Sequence, residues 1–171
     1  RQSLGSLKVM ELKLDVLRRV RRREMLRIGV RDLLRLATVE ETVGSLSDLA
    51  SVLIHAAYEI VDKDLKAQHG TPMHQLADGT WVETEFVVIG MGKLGAHELN
   101  YSSDVDLIYV YASADGETRK SRGNRQATIE TLSNEEYFEM LARLLTKALA
   151  EQTREGAVFR VDLRLRAEGT V

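Results

Sequence analysis

The sequence predicts an α+β fold in which a helical N-terminal segment precedes a mixed sheet with flanking helices. Three observations predict it. From about Ser6 to Leu65 apolar residues recur at spacings of three and four without a proline. After residue 70 the pattern changes to short extended runs. Between two of those runs lies a glycine-rich turn, and the second run opens with the carboxylates of Asp104 and Asp106.

In the N-terminal part, Leu12, Val16 and Val20, then Leu26, Val30, Leu33 and Leu34, form two helical series. Ser47-Asp48 is placed to cap a helix carrying Leu49, Val52, Leu53, Ala56, Ala57, Ile60 and Val61. The periodicity fails between Gln68 and Gly79, where Pro72, the single proline, stands with Gly70 and Asp78-Gly79. Two units are therefore expected, a helical subdomain over 1–70 and an α+β core over 71–171 that stops short at its C-terminal end. Asp78-Gly79 signals a hairpin, and Trp81 to Ile89 reads as one strand. Ala114 to Ser133 is polar and is expected to be a mobile loop. Ser133 with Glu136 fits a capping box before a helix striped by Tyr137, Leu141, Leu144, Leu145, Ala148 and Leu149, which should stop around Gly156. From Val158 to Arg166 apolar Phe159, Val161, Leu163 and Leu165 alternate with Arg160, Asp162, Arg164 and Arg166, as in a strand with one core face.

An apolar content of 44% and a charged content of 29% are those of a soluble globular chain. A net charge of −2 gives no global field favouring nucleic acid or an anionic membrane, so neither is an expected partner. The absence of cysteine excludes disulfides and thiolate metal sites and suits a cytoplasmic protein. No apolar run approaches the ~20 residues of a membrane span. Because the chain starts at Arg1 and stops just after a charged strand-like segment, it is expected to be a piece of something longer.

The chemistry centres on the two aspartates. In a strand, residues two apart share a face at roughly 7 Å, so Asp104 and Asp106 would repel each other and lose hydration at the core boundary. A divalent cation such as Mg²⁺ removes both costs, and it binds through a few carboxylates together with substrate phosphates. The glycine turn before them exposes backbone N–H groups that can receive phosphate. Asp162, on the polar face of the last strand, can bring a third carboxylate, and three carboxylates on two ions ~4 Å apart would activate an attacking oxygen and stabilise the leaving one. Arg160, Arg164 and Arg166 line the same face and can grip phosphate bidentately.

Competing readings apply to each feature. Gly90, Gly92 and Gly95 match a dinucleotide fingerprint, yet Asn100-Tyr101-Ser102-Ser103 ends any helix too soon for the crossover that fingerprint needs. Taken alone, Asp-x-Asp at a strand start is a solvated turn, and the preceding glycines reverse that preference. Asp162 amid arginines could form only a surface ion-pair strip. The arginines at 18, 19, 21, 22 and 23 are surrounded by Glu11, Asp15 and Glu24, which favours a solvated helix face over a nucleic-acid patch. His55, His69, His74 and His97 show no metal-ligand spacing.

Gly-Met-Gly-Lys-Leu-Gly-Ala-His-Glu-Leu-Asn-Tyr-Ser-Ser-Asp-Val-Asp-Leu-Ile-Tyr, residues 90–109, closely resembles the signature of the glutamine synthetase adenylyltransferase/deadenylylase family, within the DNA polymerase beta-like nucleotidyltransferase superfamily. Leu-Ser-Asn-Glu-Glu-Tyr-Phe at 132–138 and Val-Phe-Arg-Val-Asp-Leu-Arg-Leu-Arg at 158–166 resemble two further blocks in the right order, and the stretch from Leu26 to Leu33 also looks familial.

The resemblance implies a nucleotidyltransferase-type mixed sheet, with Asp104, Asp106 and Asp162 as the metal-binding and catalytic carboxylates. It places Gly90, Gly92, Lys93 and Ser103 in the nucleotide-phosphate region, with Arg160, Arg164 and Arg166 as further phosphate ligands. The superfamily usually carries Gly-Ser or Gly-Gly ahead of the first Asp, whereas Gly92-Lys93 stands here, which leaves the role of Lys93 open. Mg²⁺ is the implied cofactor, with Mn²⁺ as an alternative. Family members carry two catalytic halves, one transferring AMP from ATP to a tyrosine of glutamine synthetase and one removing it by phosphorolysis with release of ADP. The blocks at 132–138 and 158–166 resemble the N-terminal, deadenylylating half more. Implied partners are glutamine synthetase, ATP or ADP, phosphate and the PII signal protein. Two other readings stand beside deadenylylation: adenylylation, and a non-catalytic fragment that docks glutamine synthetase or PII.

Overall fold

A computed structural model of the chain describes residues 4–119 and 131–162, with side chains from Lys8 onward. Two long helices lead, α1 over Leu4–Leu33 and α2 over Val39–His69. The strands β1 (Thr71–Gln75), β2 (Trp81–Glu83) and β3 (Phe86–Met91) precede the one-turn helix α3 (Gly92–Gly95). Then come β4 (Val105–Tyr111), β5 (Glu117–Arg119), α4 (Asn134–Ala150) and β6 (Val161–Asp162). The strands form two three-stranded sheets, β2-β1-β5 and the mixed β3-β4-β6, in which β3 is antiparallel and β6 parallel to β4. This is the expected α+β architecture.

Both capped helices start with reciprocal hydrogen bonds. In α4 the Ser133 hydroxyl accepts from the Glu136 N–H while the Glu136 carboxylate accepts from the Ser133 N–H, and these bonds hold the Glu136 carboxyl below its usual range. Thr38 and Glu41 form the same reciprocal pair of hydrogen bonds at the start of α2. The cap of that helix is therefore Thr38 and not Ser47-Asp48. Ser47 lies mid-helix, donating to the Val43 carbonyl at 2.8 Å and accepting from the Leu99 N–H at 3.0 Å, which ties the loop after α3 to α2.

The N-terminal series proves helical, but most of it forms the outer face of α1. Leu12, Val16, Leu26, Val30 and Leu33 are exposed, whereas Leu14, Arg18 and Ile28 face α2 and the sheet. Apolar residues on both sides of α1 make periodicity correct for the element and uninformative about the buried side. Arginines 18 and 21 likewise turn inward, so the run is not uniformly a solvated face: Arg18 is 2% exposed, and the Arg21 guanidinium lies 5.1 Å from the Phe159 ring centre.

The hairpin at Asp78-Gly79 is present, with Gln75 opposite Trp81, the Asp78 carboxylate accepting from the Thr80 N–H and Gly79 at φ 85°. The expected single strand from Trp81 to Ile89 is two strands in different sheets. The break falls at Thr84-Glu85, because the buried Thr84 hydroxyl is pulled between His74 and Asn134. Part of the expected loop is strand as well: Glu117–Arg119 pairs antiparallel with β1, and the Arg119 guanidinium stacks 3.3 Å from the centre of the Trp81 ring. The remainder, 120–130, lies outside the described residues. Helix α4 ends at Ala150, before the Thr153–Gly156 turn. Of the expected strand from Val158 to Arg166, Val158–Arg160 are irregular with Val158 and Phe159 both buried, Val161–Asp162 is strand, and 163–166 lie outside the described residues.

The core runs continuously from helices to sheet. Ile28, Leu46, Leu53, Ala57, Val105, Leu107, Leu145, Leu149, Val158 and Phe159 form one buried cluster. Tyr137, Phe138, Leu141 and Leu65 form a second, where Phe138 stacks on Tyr111 at 4.7 Å and on Phe86 at 5.7 Å. Asn134, fully buried, donates from Nδ2 to Thr84 Oγ1 at 2.9 Å and to the Asp115 carbonyl at 2.8 Å, joining the start of α4 to the connections between strands.

Two stability predictions follow from this packing. Leu145→Ala empties a fully buried position and should lower unfolding free energy by about 2–5 kcal/mol, whereas Leu33→Ala, at 84% exposure, should change it by less than about 0.5 kcal/mol. Ser133→Ala should remove about 1 kcal/mol by uncapping α4, a fall of roughly 2–4 °C in Tm for a chain of this size. Thermal and urea denaturation of the three variants check both.

Candidate active site

Strand β4 alternates as its sequence requires. Val105 and Leu107 point into the core, and Asp106, Ile108 and Val110 point to the opposite face. Asp104 immediately precedes the strand on the Asp106 side. The antiparallel neighbour β3 brings Met91 beside Asp106, and the parallel neighbour β6 brings Asp162 to its other side, with Val105 opposite Val161 and Asp106 opposite Asp162. Adjacent strands lie about 4.8 Å apart, so two carboxylates from opposite ends of the second half of the chain share one edge of the sheet face.

The position of Asp162 is fixed from the core outward. The N–H groups of Val158 and Phe159 both donate to the Leu149 carbonyl at 3.0 Å, and both side chains are buried, so the segment hangs from the end of α4. The Val105 N–H then donates to the Arg160 carbonyl at 2.9 Å and begins the parallel ladder.

The glycine turn is built around the same carboxylate. Gly92 has φ 53°, and a Cβ there would come within 2.6 Å of Asp106 Oδ2, so only glycine lets the α3 turn lie against that side chain. Gly90 and Gly95 serve close packing within the turn, since a Cβ on Gly95 would meet the Gly90 carbonyl oxygen at 2.6 Å. Lys93 is exposed in α3.

Asp104 is committed differently from Asp106. Its Oδ1 accepts from Arg160 Nε at 2.5 Å, and Arg160 also donates to the Ser102 carbonyl at 2.8 Å. Among the described residues, no three carboxylate or imidazole side chains converge as a ready-made metal cage. The arrangement nevertheless suits Mg²⁺, which is commonly held by one or two carboxylates with substrate oxygens filling the remaining positions. The space that a Cβ on Gly92 would occupy beside Asp106 keeps that carboxylate approachable. Ser103 donates from its hydroxyl to Asn100 Oδ1 at 2.6 Å within the loop that presents Asp104. Arg164 and Arg166 lie outside the described residues.

Two openings flank the sheet. An apolar one of about 430 Å³, lined by Ile54, Tyr58, Phe86, Val88, Leu94 and Leu107, is on the helix side of β3, away from the Asp106 face. A polar one of about 390 Å³ lies beside Asp104, between α1, the Tyr101–Ser103 loop and Gly156–Arg160. Sequence reasoning missed the residues that α1 contributes to this second opening. The helical spacing of Arg18 and Arg21 from the apolar Leu14 and Ile28 was the available signal, masked by the flanking acids. No helix among the described residues is long and apolar enough to cross a membrane.

Comparison with known proteins places the sequence in a family. All of residues 1–171 match the family described as glutamate-ammonia ligase adenylyltransferase. The chain is similar, at 46% identity over 154 residues, to the bifunctional glutamine synthetase adenylyltransferase/adenylyl-removing enzyme of Nitrosococcus oceani, covering 90% of this chain and 15% of the relative. Proteins of the same description from Ralstonia nicotianae and Thioalkalivibrio sulfidiphilus are 42% and 46% identical over 153 residues, again 90% of this chain and 15% and 14% of theirs. The chain thus spans about one seventh of the length of these relatives. With a matching family over its whole length and these relatives in agreement, the chain belongs to the glutamate-ammonia ligase adenylyltransferase family.

Proposed function

We propose that this chain is part of a nucleotidyltransferase core that acts on glutamine synthetase, removing AMP from an adenylylated tyrosine by phosphorolysis. The observation that carries the reading is the register of β4 with β6, which sets Asp162 beside Asp106, next to a glycine turn shaped around the Asp106 carboxylate, in a chain of this family. The blocks at 132–138 and 158–166 favour removal over addition of AMP.

Asp106 and Asp162 would hold Mg²⁺ from adjacent strands, and Asp104 would join them on releasing Arg160. Bound there, Mg²⁺ supplies charge neutralisation at the transferring phosphoryl group. The Asp104–Arg160 pair is exposed, with side chains 47% and 73% accessible, and such pairs contribute little stability, so the exchange costs little. The freed Arg160 guanidinium would then donate to phosphate oxygens. In the reaction, a phosphate oxygen attacks the adenylyl phosphorus, the bond to the tyrosine oxygen breaks, and the phenolate takes up a proton. The products are ADP and unmodified tyrosine. Backbone N–H groups of the Gly92 turn would orient the nucleotide phosphate beside the carboxylates.

Two measurements test this reading. Asp106→Asn and Gly92→Ala should each lower Mg²⁺-dependent turnover by at least about 10²-fold, the first by removing a ligand and the second by pushing the carboxylate aside. Full turnover in Asp106→Asn rules the carboxylate assignment out. Adenylylated glutamine synthetase with inorganic phosphate should yield ADP in an amount equal to the tyrosine released. AMP transfer from ATP onto unmodified glutamine synthetase, with no phosphorolysis, would reverse the direction.

A further inference from the structure

The polar opening beside Asp104 has a composition that the carboxylate site does not explain. Its wall carries three guanidinium groups, Arg21, Arg22 and Arg160, with Glu155 as the one carboxylate, and the residues Tyr101, Ser102 and Ser103, of which Tyr101 donates its hydroxyl to Asp32 and Ser103 to Asn100. Arg22 is paired with Glu155, and Arg160 with Asp104. Arg21 has no carboxylate partner among the described residues. Its guanidinium is stacked over Phe159, its Nε is buried without a hydrogen-bond partner, and burial pushes its pKa down. One turn earlier Arg18, 2% exposed, donates from Nη1 to Asp15 at 2.9 Å, while its Nε and Nη2 are also buried without partners.

A half-buried cation at the wall of a polar opening, with no carboxylate partner among the described residues, favours an anion beside it. The planar fork of an arginine suits a tetrahedral oxyanion, and an aromatic face beneath it holds the fork in place. We propose that the opening between α1 and the Gly156–Arg160 segment is an oxyanion site for a phosphate group, in which Arg21 is the principal ligand and the Ser102 hydroxyl is a second donor. Helix α1 thereby contributes a binding residue to the edge of the active site, next to the Asp104–Arg160 pair. An anion arriving there attracts Arg160 and loosens its hold on Asp104. The role of the site in turnover rests on the transferase reading above, but anion binding does not require it.

The phosphate could be free or carried by a nucleotide, and the probes separate the two. Inorganic phosphate is titrated into the chain at low ionic strength without divalent cation, followed by calorimetry and by the shift in Tm. The wild type should bind. Arg21→Met, which keeps the stem over Phe159, should weaken binding at least about tenfold, and Arg143→Met, on the exposed side of α4, should leave it within about twofold. Ala157→Glu, which leaves Arg21 in place and adds a carboxylate to the wall, should also abolish binding, so the proposal stays testable if Arg21→Met fails to fold. ADP that displaces phosphate assigns the site to the nucleotide's phosphate, and ADP that binds alongside it assigns the site to the free anion. Absence of phosphate binding in the wild type, or unchanged binding in Arg21→Met or Ala157→Glu, overturns the proposal. Asp106→Asn separates the two readings: it should lose turnover and keep phosphate binding, whereas retained turnover would remove the carboxylate reading and leave the oxyanion site standing.

Discussion

The parallel pairing of Val105-Asp106 with Val161-Asp162 is the constraint on which the rest of the structure depends. Two carboxylates on neighbouring strands repel, and a sheet does not adopt that register for its own stability. The core imposes it. The Leu149 carbonyl holds the backbone of Val158 and Phe159, those side chains are buried among Leu145, Leu107 and Val105, and the strand that follows can only run beside β4. The placement of these two carboxylates at the sheet edge is thus set by the apolar burial beneath it.

Charge is arranged to be exchangeable at that edge. Asp104 and Arg160 are partners in a mostly exposed pair, and Arg22 and Glu155 form another on the far wall of the neighbouring opening. Exposed pairs of this kind contribute roughly 0.2–1 kcal/mol, so a cation or a phosphate can displace one partner at small cost. The guanidinium groups of buried Arg18 and half-buried Arg21 are different, because their inward donors have no protein hydrogen-bond partner. Exposed pairs at the rim and inward donors on α1 are the features on which the proposed phosphate site rests.

Much of this was legible where the signal is local. The capping box at Ser133, the hairpin at Asp78-Gly79, the glycine turn and the alternation that puts Asp104 and Asp106 on one side all depend on neighbours within a few residues. What the sequence concealed depends on distant partners. The outer face of α1 is as apolar as its inner face, so Leu26 and Leu33 read like core residues. The division of the Trp81–Ile89 run at Thr84 is made by His74 and Asn134, and the strand at Glu117–Arg119 exists through β1. The pairing of Asp104 with Arg160 and the cation over Phe159 are contacts between residues 56 and 138 positions apart, and no spacing rule announces them. The adjacency of Asp162 to Asp106 was an expectation from chemistry that strand register makes concrete at the backbone.

A crystal structure of the chain with Mg²⁺ and ADP tests the central claim most directly. The account predicts an ion at the edge of the β3-β4-β6 sheet with oxygen ligands from both Asp106 and Asp162 at about 2.1 Å. An ion bound away from Asp162, or Asp162 kept in an ion pair with a neighbouring arginine while the metal sits elsewhere, would contradict it.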